Sequence, residues 1–284
     1  MTKITLPDSV VSAQWLAKHQ HASNLVILDA RMPVVGGTAN AEPQTPRYIP
    51  GARRFDFDKE IRDKTSPFPH MMPSPEEFTA AAQALGINQD SAIVAYDDVG
   101  LYASPRAWHM FRAMGHTQVS VLDGGLPAWL EAGYATTDVL SQPGARGDFV
   151  ANPQPDWFVD ADFVLQTLND PAYQVVDARS EGRFKGTEPE PRSGMKSGHI
   201  PNADNIPFAS VLENQRMASK AAAALRKLFD HYKDETLIFS CGSGVTASIL
   251  ALAAEQAGYD RFTVYDGSWS EWGQQSADFP VEKG

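Results

Sequence analysis

The chain is written twice, and that feature constrains its fold more than any other. Val26-Ile27-Leu28-Asp29-Ala30-Arg31 returns as Gln174-Val175-Val176-Asp177-Ala178-Arg179, with 148 positions between the two aspartates. Tyr48-Ile49-Pro50-Gly51-Ala52 returns as His199-Ile200-Pro201-Asn202-Ala203 after 151 positions. Ile93-Val94-Ala95-Tyr96-Asp97 parallels Leu237-Ile238-Phe239-Ser240-Cys241 at 144. Val121-Leu122-Asp123-Gly124 with Trp129 parallels Val264-Tyr265-Asp266-Gly267 with Trp272 at 143. Four blocks in one order, with drifts of a few residues, mark a duplication with loop insertions. The 284 residues therefore form two domains of ordinary size, about 100–150 residues each.

Within each copy, short apolar runs alternate with helical stretches. In the second copy, 174–176, 237–240 and 263–265 are rich in β-branched and aromatic residues, which suits buried parallel strands. Residues 245–257 are rich in Ala and Leu and stop at Gly258, a natural residue just past a helix end. Residues 105–113 fill the same slot in the first copy, with Pro105 in a first-turn position. Strand–helix–strand order predicts an α/β fold: two tandem domains, each a mostly parallel sheet with helices on both faces. The Pro- and Gly-containing stretch 136–156 has little periodicity and reads as the connection. Boundaries are drawn at 1–138, 139–156 and 157–284.

Charge and cysteine content narrow the function. Lys and Arg number 24 against 35 Asp and Glu, a net charge of −11, which argues against nucleic acid or an anionic membrane as the main partner. No apolar run reaches the ~18 residues of a membrane span. Asp8, Ser9, Gln14 and Lys18 break any apolar core of a signal peptide in residues 1–20. The one cysteine, Cys241, cannot form an intramolecular disulfide and excludes a Cys-rich zinc site. A reducing, cytoplasmic setting is expected, with neither cofactor nor metal.

Cys241 opens Cys241-Gly242-Ser243-Gly244-Val245-Thr246, between a predicted strand and a predicted helix. Ligands of open α/β sheets bind outside the carboxyl ends of strands. A loop there that leads into a helix aims backbone N–H groups at one spot, which favours a thiolate or bound anion. Gly242 and Gly244 free the backbone for such a turn, so a reactive thiol of lowered pKa is expected. A buried structural cysteine is the competing reading. The Gly242-x-Gly244-x-x-Ala247 pattern also fits a dinucleotide fingerprint, but too little chain follows Asp266 to complete a dinucleotide-binding sheet. A cysteine phosphatase would place an arginine about where Ala247 stands.

The duplicated Asp-Ala-Arg and Ile-Pro blocks, the Cys-Gly-Ser-Gly-Val-Thr loop and Tyr265-Asp266-Gly267-Ser268-Trp269 together resemble the tandem-domain rhodanese family, on its 3-mercaptopyruvate-using branch. The resemblance spans nearly the whole chain. It implies a catalytic second domain and a catalytically silent first domain, with Asp97 in the cysteine slot and the active site in a cleft between them. It further implies that Cys241 takes sulfur from 3-mercaptopyruvate as a persulfide, releases pyruvate, and passes the sulfur to cyanide or a thiol acceptor such as thioredoxin. The uncharged Gly242 and Ser243 favour this donor over thiosulfate. Arg183 and Arg192, in the segment Gly182–Arg192, carry over as the arginines that hold the donor's carboxylate, with Gly242, Gly244, Val245 and Thr246 completing the substrate loop. Pairing of these arginines with Glu181, Glu188 or Glu190 is the alternative. His70, in Thr65-Ser66-Pro67-Phe68-Pro69-His70-Met71, is expected to form a relay with Ser243 and an acid, Asp58 or, second, Asp63. A thiosulfate:cyanide sulfurtransferase and a non-catalytic sulfur-relay or binding module are the other functions considered. His199 is read as fixing a turn, and Trp129, Trp269 and Trp272 as core or interface aromatics.

Overall fold

The computed structural model describes residues 2–34, 46–217 and 222–284. The chain divides into two units: Met1–Arg62, Pro73–Gln154 and Asn214–Ala218 form one, and Asp63–Met72, Pro155–Glu213 and Ser219–Gly284 the other. Each unit thus includes a short segment drawn from the opposite half of the sequence.

The first unit contains β1 (Val10–Val11), α1 (Ala13–His19), β2 (Leu25–Asp29), β3 (Arg53–Arg54), α2 (Pro75–Ala84), β4 (Ala92–Tyr96), α3 (Ser104–Ala113), β5 (Val119–Leu122) and α4 (Gly125–Glu131). The second contains β6 (Phe158–Val159), α5 (Ala161–Thr167), β7 (Tyr173–Asp177), α6 (Glu181–Lys185), β8 (Asp204–Asn205), α7 (Ala222–Phe229), β9 (Thr236–Ser240), α8 (Ala247–Gln256), β10 (Phe262–Tyr265) and α9 (Ser268–Trp272). The sheets run β1-β5-β4-β2-β3 and β6-β10-β9-β7-β8, one order repeated. Every pairing between these strands is parallel. Among the described residues, antiparallel pairing is confined to isolated bridges such as Tyr48 with Thr137 and Met195 with Gln274.

Both faces of each sheet are covered, which is why the central strands read as unbroken apolar runs. In the first unit Ile27, Val94, Tyr96 and Leu122 pack with Leu16 of α1 and Leu126 and Trp129 of α4. On the other face, Phe78 of α2 and Phe111 of α3 meet edge to face at 5.0 Å, and Phe111 lies 5.2 Å from Phe55. In the second unit Val175, Ile238 and Tyr265 pack with Ala161 and Val164 of α5 and with Trp269 and Trp272 of α9. There α8 covers β9 and β10 from the opposite side, beside α7.

The repeated motifs are mostly scaffolding. Asp29 and Asp177 end equivalent strands. Asp29 accepts from the backbone N–H of Arg31 at 3.2 Å and its Nε at 2.7 Å; Asp177 accepts from the same two groups of Arg179 at 2.9 Å each. Gly51 and Asn202 hold the same left-handed turn, at φ 88° and 60°, a conformation that asparagine tolerates better than most non-glycine residues. Asp123 and Asp266 each receive a backbone N–H from the segment drawn in from the other half: Met217 to Asp123 Oδ1 and Met72 to Asp266 Oδ2, both at 2.7 Å.

The stretch 139–154, expected as part of a connection, lies along the first unit. Gly147 donates to Gln83 at 2.8 Å, Asn152 donates to Met114 at 2.9 Å, and the Phe149 side chain is buried. No helix among the described residues is long and apolar enough to cross a membrane.

Candidate active site

Topology selects the place. From β7 the chain crosses to β8 on one side; from β9 it crosses to β10 on the other. Crossovers that diverge from neighbouring strands leave a crevice outside their carboxyl ends, where open α/β sheets bind ligands. The turn after β7 leads into α6, which carries Arg183. The turn after β9 is the Cys241 loop, which runs to Thr246 at the start of the ten-residue α8.

The loop is pinned from below. The Cys241 carbonyl accepts from Trp269 N–H at 2.9 Å and the Gly242 carbonyl from Ser270 N–H at 2.8 Å. Ser268 Oγ accepts from the N–H groups of both Cys241 and Gly244 at 3.1 Å and donates to the Tyr265 carbonyl at 2.7 Å. Ser268 is fully buried and left-handed, at φ 48°. Its counterpart in the first copy is Gly125, at φ 54°, so the backbone here suits glycine. Serine occupies this costly conformation, and its hydroxyl supplies what glycine lacks, a bridge between two N–H groups of the Cys241 loop.

The first unit shows what such a loop holds. Asp97 follows β4 as Cys241 follows β9, and its side chain is fully buried. Oδ1 accepts from the N–H groups of Val99 and Gly100 at 3.1 and 3.0 Å. Oδ2 accepts from those of Tyr102, Ala103 and Ser104 at 3.0, 2.9 and 2.9 Å, and from Ser104 Oγ at 2.8 Å. Six donors converge on one carboxylate: the cradle is built for negative charge, and in this copy the chain fills it itself. In the second copy the same position carries a thiol, buried at 2% exposure.

Around Cys241 stand the other predicted groups of the second unit. Ser243 Oγ and His70 Nδ1 are hydrogen-bonded at 2.9 Å across 173 positions of sequence, and both side chains are buried. His70 is also left-handed, at φ 63°. Arg192 Nη2 lies 3.4 Å from Ser243 Oγ. A Cβ on Gly242 would stand 3.4 Å from Arg183 Nη2 and 3.5 Å from Arg192 Nη1, so the glycine leaves room where the two guanidiniums meet the loop. Gly244 is left-handed at φ 74°, Val245 is buried, and Thr246 starts α8 with no side-chain capping bond.

Two readings of Arg183 hold together. It is paired, with Glu190: Nε to Oε1 at 3.2 Å and Nη2 to Oε2 at 2.6 Å. It also faces Gly242. Asp58 is a half-buried turn residue of the first unit. Asp63 shares the second unit with His70 and accepts through Oδ1 from the N–H groups of Thr65 and Ser66 and from Thr65 Oγ1, at 2.8, 3.3 and 2.6 Å. His199 donates through Nδ1 to the Phe184 carbonyl, 2.9 Å away, and stacks on the Phe184 ring at 3.8 Å, a turn-fixing role. Among the described residues no group of three His, Cys, Asp or Glu side chains is placed to hold a metal ion. Sequence reasoning missed Ser268 and the depth of Glu190; comparing Ser268 with Gly125 across the repeat would have exposed the first.

A family model described as the rhodanese-like domain matches residues 12–132 and again 160–275. The chain belongs to the rhodanese family. This rhodanese is 42% identical to the 3-mercaptopyruvate sulfurtransferase of Homo sapiens over 283 residues, covering 96% of the chain and 94% of that protein. It is 39% identical to the Escherichia coli (strain K12) protein of the same name, covering 96% and 97%. Among solved structures it matches SseA from Escherichia coli, a 3-mercaptopyruvate sulfurtransferase, with a TM-score of 0.81 at 35% identity, covering 93% of the chain and all of SseA. Tum1 from Saccharomyces cerevisiae matches with a TM-score of 0.84 at 31% identity, covering 98% and 99%.

Proposed function

We propose that this rhodanese is a 3-mercaptopyruvate sulfurtransferase that works through a Cys241 persulfide. The observation that carries the reading is the convergence, on one glycine-rich loop, of a cysteine, a serine–histidine hydrogen bond and two guanidiniums. Arg183 and Arg192 take the donor's carboxylate, a planar anion suited to guanidinium forks. The Cys241 thiolate attacks the donor sulfur. An S–S bond forms, the C–S bond breaks, and its electron pair leaves on the pyruvate enolate. Ser243, backed by His70, returns a proton to the enolate carbon, which departs as pyruvate. Asp58 is assigned as the relay's acid on the family resemblance alone. An acceptor thiolate then attacks the outer persulfide sulfur and regenerates the Cys241 thiolate, the second half of a covalent cycle. A low-molecular-weight thiol, cyanide or a thioredoxin serves as acceptor, in a reducing cytoplasm. The first unit, its cradle filled by Asp97, carries out no sulfur transfer.

The test is intact mass after brief exposure to 3-mercaptopyruvate. A gain of one sulfur, about 32 Da, removed by added thiol and matched by released pyruvate, is the expected result. Pyruvate release without a sulfur on the protein would refute the covalent route.

A further inference from the structure

Glu190 is the least exposed carboxylate in the substrate segment, and it sits between two arginines. Its side chain is 6% exposed. Oε1 accepts from Arg179 Nη1 at 2.8 Å and from Arg183 Nε at 3.2 Å, while Oε2 accepts from Arg183 Nη2 at 2.6 Å. Arg179 is itself buried, bonded to Asp177 and laid over the Trp269 ring at 4.1 Å. The N–H of Trp269 in turn holds the Cys241 carbonyl. Arg183 is thus fixed on a chain of charges rooted beneath the nucleophile loop.

This arrangement has two consequences. Glu190 occupies the Nε–Nη2 edge of Arg183, so a ligand meets only the Nη1 side and the remaining Nη2 hydrogen. It also fixes the charge balance. Asp177 and Glu190 cancel Arg179 and Arg183, and Arg192, which meets the same loop at Ser243 and Gly242, adds one positive charge to these five groups. With the Cys241 thiolate also present, each further negative charge on the donor is less well compensated, so a compact dianion is disfavoured relative to a monoanion.

We propose that Glu190 is a positioning and specificity-determining residue: it orients Arg183 and tunes the site to singly charged donors. The proposal rests on the sulfurtransferase reading above and adds to it which carboxylate makes the choice. Glu190→Gln keeps the shape and raises the cluster's charge by one. The expected result is a rise of about tenfold or more in the ratio of kcat/KM for thiosulfate to kcat/KM for 3-mercaptopyruvate, the scale of one added charge near a partly screened site. Glu190→Asp keeps the charge and shortens the reach. Its KM for 3-mercaptopyruvate should rise, while the donor ratio stays within about threefold of the parent protein.

A measurement on the unaltered protein does not depend on either variant folding. Pyruvate, a monoanion, should compete with the donor about tenfold or more better than ketomalonate, a dianion of similar size. Equal losses with both donors in Glu190→Gln would reduce Glu190 to structural support and overturn the proposal. So would a donor-ratio shift in Glu190→Asp as large as in Glu190→Gln, or equal competition by the two anions. These failures leave persulfide formation from 3-mercaptopyruvate intact in the unaltered protein. Absence of that persulfide would overturn the functional reading and this proposal together.

Discussion

Asp97→Ala should destabilise the first unit severely and leave the thiol chemistry of the second in place. The Asp97 carboxylate is fully buried and accepts six hydrogen bonds from one loop, five of them from backbone N–H groups. Hydrogen bonds to a charged group are worth about 1.5–3 kcal/mol each. Six at face value would exceed the whole stability of a typical domain, about 5–15 kcal/mol, so the terms cannot add. Part of the loss is recovered when water enters the vacated space and when the carboxylate's own desolvation cost disappears. A net loss of about 3–5 kcal/mol remains, the range for breaking a buried charge network by removing one partner. At about 2–4 °C per kcal/mol for a chain of this size class, the thermal transition of the first unit should fall by about 6–20 °C. Differential scanning calorimetry reads the shift in the thermal transition, and circular dichroism at low temperature checks that the variant is folded. Cys241 should still gain one sulfur from 3-mercaptopyruvate below the new transition. A loss under about 1 kcal/mol would show that the loop holds its shape without the carboxylate, and the anion-cradle argument would fall with it.

The remaining expectations concern the second unit and the buried phenols. Cys241→Ala should abolish persulfide formation and turnover with an unchanged circular dichroism spectrum, because the chain has no other thiol; retained sulfur transfer would remove the mechanism. Arg183→Ala should cost about 2–5 kcal/mol of transition-state binding for 3-mercaptopyruvate, with less effect on thiosulfate, and equal losses in kcat/KM would mean the side chain only supports the loop. Ser268→Ala and Ser268→Gly should both slow persulfide formation, since each leaves the Cys241 and Gly244 N–H groups without their acceptor; the glycine variant, relieved of the left-handed strain, should be the more stable, and stopped-flow rates equal to the parent's would refute the bridging role. Burial, and then the charges of Asp29 and Glu271 respectively, push the Tyr96 and Tyr265 phenols above the ordinary tyrosine range. The folded state therefore keeps protons that the unfolded chain releases above about pH 10, and stability should fall beyond that point by up to about 1.4 kcal/mol per pH unit per phenol. Urea midpoints at pH 8, 10 and 11 that do not decline would contradict this.

The duplication was legible in the sequence and carried most of the fold. Repeating Asp29-Ala30-Arg31 as Asp177-Ala178-Arg179 marked two equivalent strand ends, and the structure shows why: an aspartate accepting from the arginine two residues on needs nothing beyond its own turn. The Cys241 loop was legible for the same reason, since strand, glycine turn and helix are adjacent in the chain. Differences between copies were as informative as matches, because Asp97 against Cys241 separates a filled cradle from one that holds a thiol. Tertiary structure alone decided the partners. Ser243 could not be matched to His70 by spacing, with 173 positions between them. Nor could Arg183 choose among Glu181, Glu188 and Glu190, which all lie within reach along the segment. Glu181 pairs with Lys185 at the surface, Glu188 accepts from Ser180 Oγ, and Glu190 turns inward to Arg179 and Arg183. Sequence rules act over a turn or so of backbone. The strength of a charge pair depends on burial, which is set by what packs over it, and here that cover is Trp269, brought beneath the loop by the folding of the sheet.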